Sequence, residues 1–168
     1  MLSTTRWVLN ALLILNIVVG AILLLVLAGS FVAEAKFIAT QQRVFPDADQ
    51  VALLASSRWV LAIVAPVMLF AHILLRNLLV ILETVRSGDP FAAANADRLQ
   101  IVAWCLLAIQ LCDIAFGFAD AAMNRAAGEQ ISAWSPALTG WIAVLLVFVL
   151  ARVFREGARL RDEAELTI

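Results

Sequence analysis

Charge is scarce in this chain of 168 residues: 15% are Asp, Glu, Lys or Arg, against about 25% in an ordinary soluble domain. No basic excess exists either, because the formal net charge is -1, so no global positive field recruits nucleic acid directly. The single histidine and two cysteines cannot furnish a conventional four-ligand zinc site, and a lone His72 cannot supply paired axial ligands to a haem in a bundle. A phosphate-binding loop, a nucleophile elbow and paired intramembrane carboxylates are all missing. No cofactor, no metal and no enzymatic activity is therefore expected. Cys105 and Cys112 lie two helical turns apart, roughly 10 Å of rise, too far to bridge each other, and read as packing thiols.

What the chain does have is apolar surface. Hydrophobic residues make up 64% and mean hydropathy is +0.96, more than a soluble core of this size can hide. In a bilayer a spanning helix is apolar all round, and about 20 residues cross a hydrocarbon core of about 30 Å. Four stretches have that length with few or no interior charges: Trp7 to Val32, Trp59 to Leu82, Leu99 to Phe118 and Leu138 to Phe154. Polar segments separate them: Ala39 to Gln50, Ser87 to Pro90, and Ala119 to Pro136. The expected fold is an all-α integral membrane four-helix bundle, a single domain over residues 1–168, with 155–168 as a helical tail. Ala33-Glu34-Ala35 has the small-x-small look of a signal-peptidase site. The apolar stretch before it exceeds a signal-peptide core, so an uncleaved anchor is the expectation.

Arginines set the orientation. Arg6, Arg86, Arg98, Arg152, Arg155, Arg159 and Arg161 collect on one side, against Lys36, Arg43, Arg58 and Arg125 spread over longer loops on the other, which places both termini in the cytoplasm. Trp59, Trp134 and Trp141 then fall near the outer interface and Trp7 near the inner one. Asp49 is suited to cap a second helix that runs to Arg86 and extends beyond the bilayer, with a kink expected at Pro66. Gly88 suits the end of that helix, while Asp89 and Pro90 suit the N-cap and first position of the next. Past the fourth span, Arg152 to Glu156, Arg159 to Glu163 and Arg161 to Glu165 are favourable i, i+4 pairs that extend the last helix beyond the bilayer. Arginines there also meet anionic headgroups.

Inside the spans a few polar residues stand out: Asn10 and Asn16, then His72, Arg76 and Asn77, then Gln110 and Asp113. Such groups normally face the bundle interior or water. Asn16, His72 and Gln110 fall at comparable depth, Arg76 can snorkel, and Asp113 lies nearer the outer face. Asn16, His72, Arg76, Asn77, Gln110 and Asp113 form a candidate polar network, with His72 and Asp113 a candidate proton-responsive pair. The plainer reading is interhelical hydrogen bonding that fixes register.

Two passages, Gly88-Asp89-Pro90-Phe91 with Asn95-Ala96-Asp97-Arg98-Leu99, and Phe154-Arg155-Glu156-Gly157-Ala158-Arg159-Leu160 with Glu165-Leu166-Thr167-Ile168, resemble the bacterial membrane-protein family of unknown function 2975. The likeness covers the chain from the second span to the end; the first span matches only in length and hydrophobicity. The resemblance implies a small four-span protein of the bacterial inner membrane. Members are often encoded beside a small helix-turn-helix regulator, which implies a role as membrane partner of such a protein, without direct nucleic-acid binding by this chain. Asp89, Pro90, Phe91, Arg98, Arg155 and Arg159 are the candidate docking surface. Two competing expectations remain open: a transporter or channel subunit using the polar residues as a path, and a structural or assembly subunit. A homo-oligomer is compatible with all three.

Overall fold

The computed structural model describes residues 2–88 and 92–165, and every regular element in them is helical. In chain order these are α1 (Leu2–Val32), α2 (Glu34–Val44), α3 (Gln50–Arg86), α4 (Ala93–Ala127) and α5 (Leu138–Glu165). Among the described residues, four helices are long and apolar enough to cross a membrane, over Thr4–Val32, Gln50–Arg86, Ala93–Ala127 and Leu138–Arg161. The chain is a helical protein with four candidate spans, as its apolar runs required. The expected cap at Asp89 and Pro90, with neighbouring Phe91, lies outside the described residues.

α2 is the departure from the sequence reading, which took much of this segment as loop. Ala33 leaves helical geometry at φ -117° and ψ 41°, breaking the chain from α1. The next eleven residues contain no proline or glycine, with Glu34 in the first turn and Arg43 in the last, each favourable to the helix dipole. Phe37 and Gln41 are half-buried one turn apart, while most of the other residues are exposed, so α2 is a short amphipathic helix without the apolar run of a span.

Exposure along α1 follows a repeat. Leu9, Leu13, Asn16, Gly20, Leu23, Leu27 and Ser30 are half-buried or buried, with alternating spacings of four and three. That is the seam of a helix packing at a period of 3.5. Leu12, Leu15, Ile22 and Leu25 lie off the seam and are exposed, Leu25 by 72%. Side chains of this size in that position are solvated by lipid tails. α5 repeats the pattern with Gly140, Val144, Val147, Ala151, Phe154 and Ala158. Alanine dominates the buried positions, including Ala96, Ala103, Ala119, Ala126, Ala127, Ala151 and Ala158, because small residues let helix backbones approach closely where lipid supplies no hydrophobic drive.

The described chain divides into two compact units. The first takes the residues up to Asn16, Leu69–Gln110 and those from Leu138 onward; the second takes Ile17–Met68 and Leu111–Ala137. In the second unit, the start of α3 is built as its sequence predicts. Asp49 Oδ1 accepts the amides of Val51 and Ala52, each at 3.1 Å. The Asp49 amide itself donates to the Ala126 carbonyl at 2.9 Å, beside a cluster of Leu53, Ala126 and Ala127. Gly88, at φ +89°, ends the α3 segment, and Gly128, at φ +76°, follows α4, both in the left-handed region where a Cβ is strained.

Replacing Asp49 by Ala removes the two cap bonds and should cost about 1 kcal/mol. Thermal unfolding in detergent should fall measurably below that of the control Asp47→Ala, whose exposed side chain caps nothing.

Candidate functional site

In the first unit a hydrogen-bond chain begins at Arg98. Its Nη1 donates to Asn95 Oδ1 at 2.8 Å, Asn95 Nδ2 donates to the Thr84 hydroxyl at 2.7 Å, and that hydroxyl reaches the Ile81 carbonyl at 2.7 Å. Asn95 is fully buried in the first turn of α4, so its amide needs these partners. The chain ties the beginning of α4 to the last turns of α3. Across the unit, Arg155 Nη2 of α5 donates to Asp97 Oδ1 at 3.0 Å and to Gln100 Oε1 at 2.6 Å on α4. Arg6 of α1 pairs with Glu83 of α3 at 3.4 Å. On α5, Arg159 pairs with Glu156 at 2.6 Å and with Glu163 at 3.6 Å. Glu156 is thus held by Arg159, a partner other than the Arg152 expected from spacing.

These ion pairs are about half exposed or more, so each contributes roughly 0–1 kcal/mol. They define where charges stand more than they stabilise the fold. Of the predicted docking residues, Arg98 and Arg155 are each bonded to α4, Arg159 lies further along α5, and Asp89, Pro90 and Phe91 are outside the described residues. Thr84 and Asn95 were not among the candidates, although their spacing around the Gly88 turn is the signal that could have found them.

The intramembrane polar residues are divided between the two units. Asn16, His72, Arg76, Asn77 and Gln110 belong to the first unit and Asp113 to the second. Asn77 Nδ2 donates to the Ile73 carbonyl of its own helix at 2.8 Å. Gln110 lies flat on Gly140, where a Cβ would stand 2.3 Å from its Nε2. His72 is half-buried and Arg76 exposed.

In the second unit, Asp113, Gly117, Asp120 and Asn124 recur at i, i+4, i+7 and i+11, one face of α4. The segment after α4 is fastened along this face. Asn124 Oδ1 accepts the amides of Ile131 at 2.9 Å and Ser132 at 3.2 Å, and its Nδ2 donates to the Ser132 carbonyl at 2.9 Å. The Ser132 hydroxyl donates to the Asp120 carboxylate, which is buried. Trp134 Nε1 donates to Asp113 Oδ1 at 3.2 Å, and its ring occupies the space above Gly117. Sequence reasoning singled out Asp113 and missed Asp120 and Asn124, whose helical spacing was the available signal. Elsewhere in this unit Arg58 donates to Glu34 at 2.7 Å and lies 4.1 Å above the Phe31 ring, fastening α3 to the end of α1 and the start of α2.

Polar groups buried in helix contacts, apolar faces left outward and four long apolar helices together define a multi-pass helical membrane protein. The sequence model of the family described as "Protein of unknown function (DUF2975)" matches residues 30–168, and the chain belongs to that family. Neither a curated protein nor a solved structure matches it.

Gly117→Ala would put a methyl 2.6 Å from the Trp134 ring, which is too rigid to yield cheaply. The expected cost is about 1–3 kcal/mol, read as a lower unfolding temperature in detergent. In Trp134→Ala the same substitution should be nearly neutral, because the clash and the contact are then gone together.

Proposed function

We propose that this chain is a non-enzymatic protein of the bacterial inner membrane that holds a soluble regulator, a small helix-turn-helix DNA-binding protein, at its cytoplasmic face. The observation that carries the reading is the polar end of the first unit, where the exposed pairs Arg6–Glu83 and Arg155–Asp97 and the inward chain Arg98–Asn95–Thr84 join the four long helices. Ion pairs this exposed add little stability, yet together they hold charges at set positions, as a recognition surface requires. Arg152, Arg159 and Arg161 stand exposed on the same unit. Their number supports a cytoplasmic placement by the positive-inside rule.

Length supports the surface standing clear of the hydrocarbon core. α3 has 37 residues and α5 has 28, about 55 and 42 Å, against a hydrocarbon core of about 30 Å. Both helices then project beyond the bilayer, bringing the Thr84 turn and the α5 tail into the cytoplasm.

Two measurements test this. Reporter fusions after residue 168 should be active only as cytoplasmic reporters; an extracytoplasmic signal would remove the docking surface from any cytoplasmic regulator. Affinity purification from native membranes should recover a small DNA-binding protein, and Arg155→Glu with Arg159→Glu should reduce its retention at least tenfold at matched expression. Because Arg155→Glu also breaks the pair with Asp97, the exchange Asp97→Arg with Arg155→Asp serves as the second variant. It restores the α4 to α5 pair while altering the presented charge, and should still lose the partner. Recovery of no DNA-binding protein would reject the reading in favour of a structural subunit.

A further inference from the structure

Between α4 and α5 of the first unit lies a groove of about 330 Å³, lined by Gln100, Phe148, Ala151, Arg152, Arg155 and Glu156. Its character changes along α5. Phe148 stands at one end, with the edge-on indole of Trp104 5.3 Å away, and Trp104 is 57% exposed. Ala151, the next residue on this face, is small enough to leave the groove open. Arg152 follows one turn, about 6 Å, beyond Phe148, and Arg155 about 10 Å beyond it. Phe148 in the groove, with Trp104 packed against it, thus leads into two guanidinium groups over the length of one lipid headgroup and its first acyl carbons.

The charges in this groove leave room for an anion. Arg152 makes no hydrogen bond or ion pair among the described residues. Arg155 makes both of its bonds through Nη2, so its Nε and Nη1 donors remain open. Glu156, the carboxylate in the lining, is compensated by Arg159 at 2.6 Å. A planar guanidinium with open donors matches two phosphate oxygens at once.

We propose that this groove is a binding site for one anionic phospholipid, its phosphate on Arg152 and the open edge of Arg155 and its acyl chain along Phe148 and Trp104. The site depends on α5 lying in the membrane; it shares Arg155 with the proposed docking surface, but it needs no soluble partner to fill. It differs from a general attraction of basic residues to an anionic surface because it has an apolar end, a charged end and one occupant.

The test uses the full chain in neutral detergent, titrated with phosphatidylglycerol carrying brominated acyl chains, which quench a tryptophan only on close approach. Saturable quenching is expected, and Trp104→Phe should abolish that component. Arg152→Gln breaks no contact within the fold and should weaken half-saturation about fivefold, the factor one arginine at an anionic headgroup is worth. Arg152→Lys, read in the same titration, keeps the charge, loses the fork, and should also weaken binding. Arg86→Gln, the same charge loss at the end of α3, should leave half-saturation unchanged. Brominated phosphatidylcholine should give no saturable component. An unchanged half-saturation in Arg152→Gln, an equal weakening by Arg86→Gln, or equal saturation by phosphatidylcholine would each overturn the site. Displacement of the lipid by inorganic phosphate alone would also overturn it, assigning the arginines to a free anion.

Discussion

Lipid tails are as apolar as leucine, so nothing like the expulsion of water drives α1, α3, α4 and α5 together inside a bilayer. Helices must cohere through close backbone approach and through polar groups that have no better partner, and the rest of the structure follows from this. The seams of α1 and α5 run at spacings of four and three, and their buried positions are Gly20, Ser30, Val144, Ala151 and Ala158, all but the valine very small. Off the seams, Leu12, Leu15, Ile22, Leu25, Leu145 and Leu146 face outward, where a soluble bundle would carry polar residues. Gly140 accepts the flat side chain of Gln110 because no Cβ stands in the way, so a small residue and a polar one share a single packing solution.

The same constraint explains what the buried polar residues do. A carboxylate or amide that enters a span needs a partner within reach, and each one described in detail has found it within its own unit. Asp113, Asp120 and Asn124 hold the segment from Ile131 to Trp134, and Asn95 takes Thr84 and Arg98. These groups make connections that irregular backbone could not make for itself, since a segment leaving a helix carries amides and carbonyls that no helical ladder satisfies. Asn124 alone satisfies two amides and one carbonyl of that segment.

How much of this was legible depends on the range of the interaction. The spans announced themselves because twenty apolar residues in a row have one stable environment, and the family likeness from Gly88 onward rests on contiguous residues. The cap at Asp49 and the left-handed Gly88 were legible because both act within four residues. α2 was missed because eleven residues with two large apolar side chains on a half-buried face look like loop when helices are sought by their apolar runs. The fastening along α4 was harder still. Its face could be read from spacing, but Ser132 and Trp134 lie eight to twenty-one residues away from their partners with no periodicity to mark them. Depth made Asp113 look like a group in search of a histidine, when an indole from the following segment engages it.

The arginines of the first unit then divide by what they touch. Arg98 is turned inward onto Asn95, Arg155 crosses from α5 to α4, and Arg152 has no protein partner among the described residues. Topology alone would be served by any cation at these positions, lysine included, yet the sequence places arginine at all three. Arginine has several donors held in a plane, so one side chain can bond a neighbour and still present an open edge, which an ammonium on a flexible stem does less well. At Arg155 both bonds use Nη2, which leaves its other donors open, and the residue lines a groove together with Arg152. A surface built this way keeps its charges fixed while leaving them available, and that combination is what a lipid phosphate on one side and a protein partner on the other would each require.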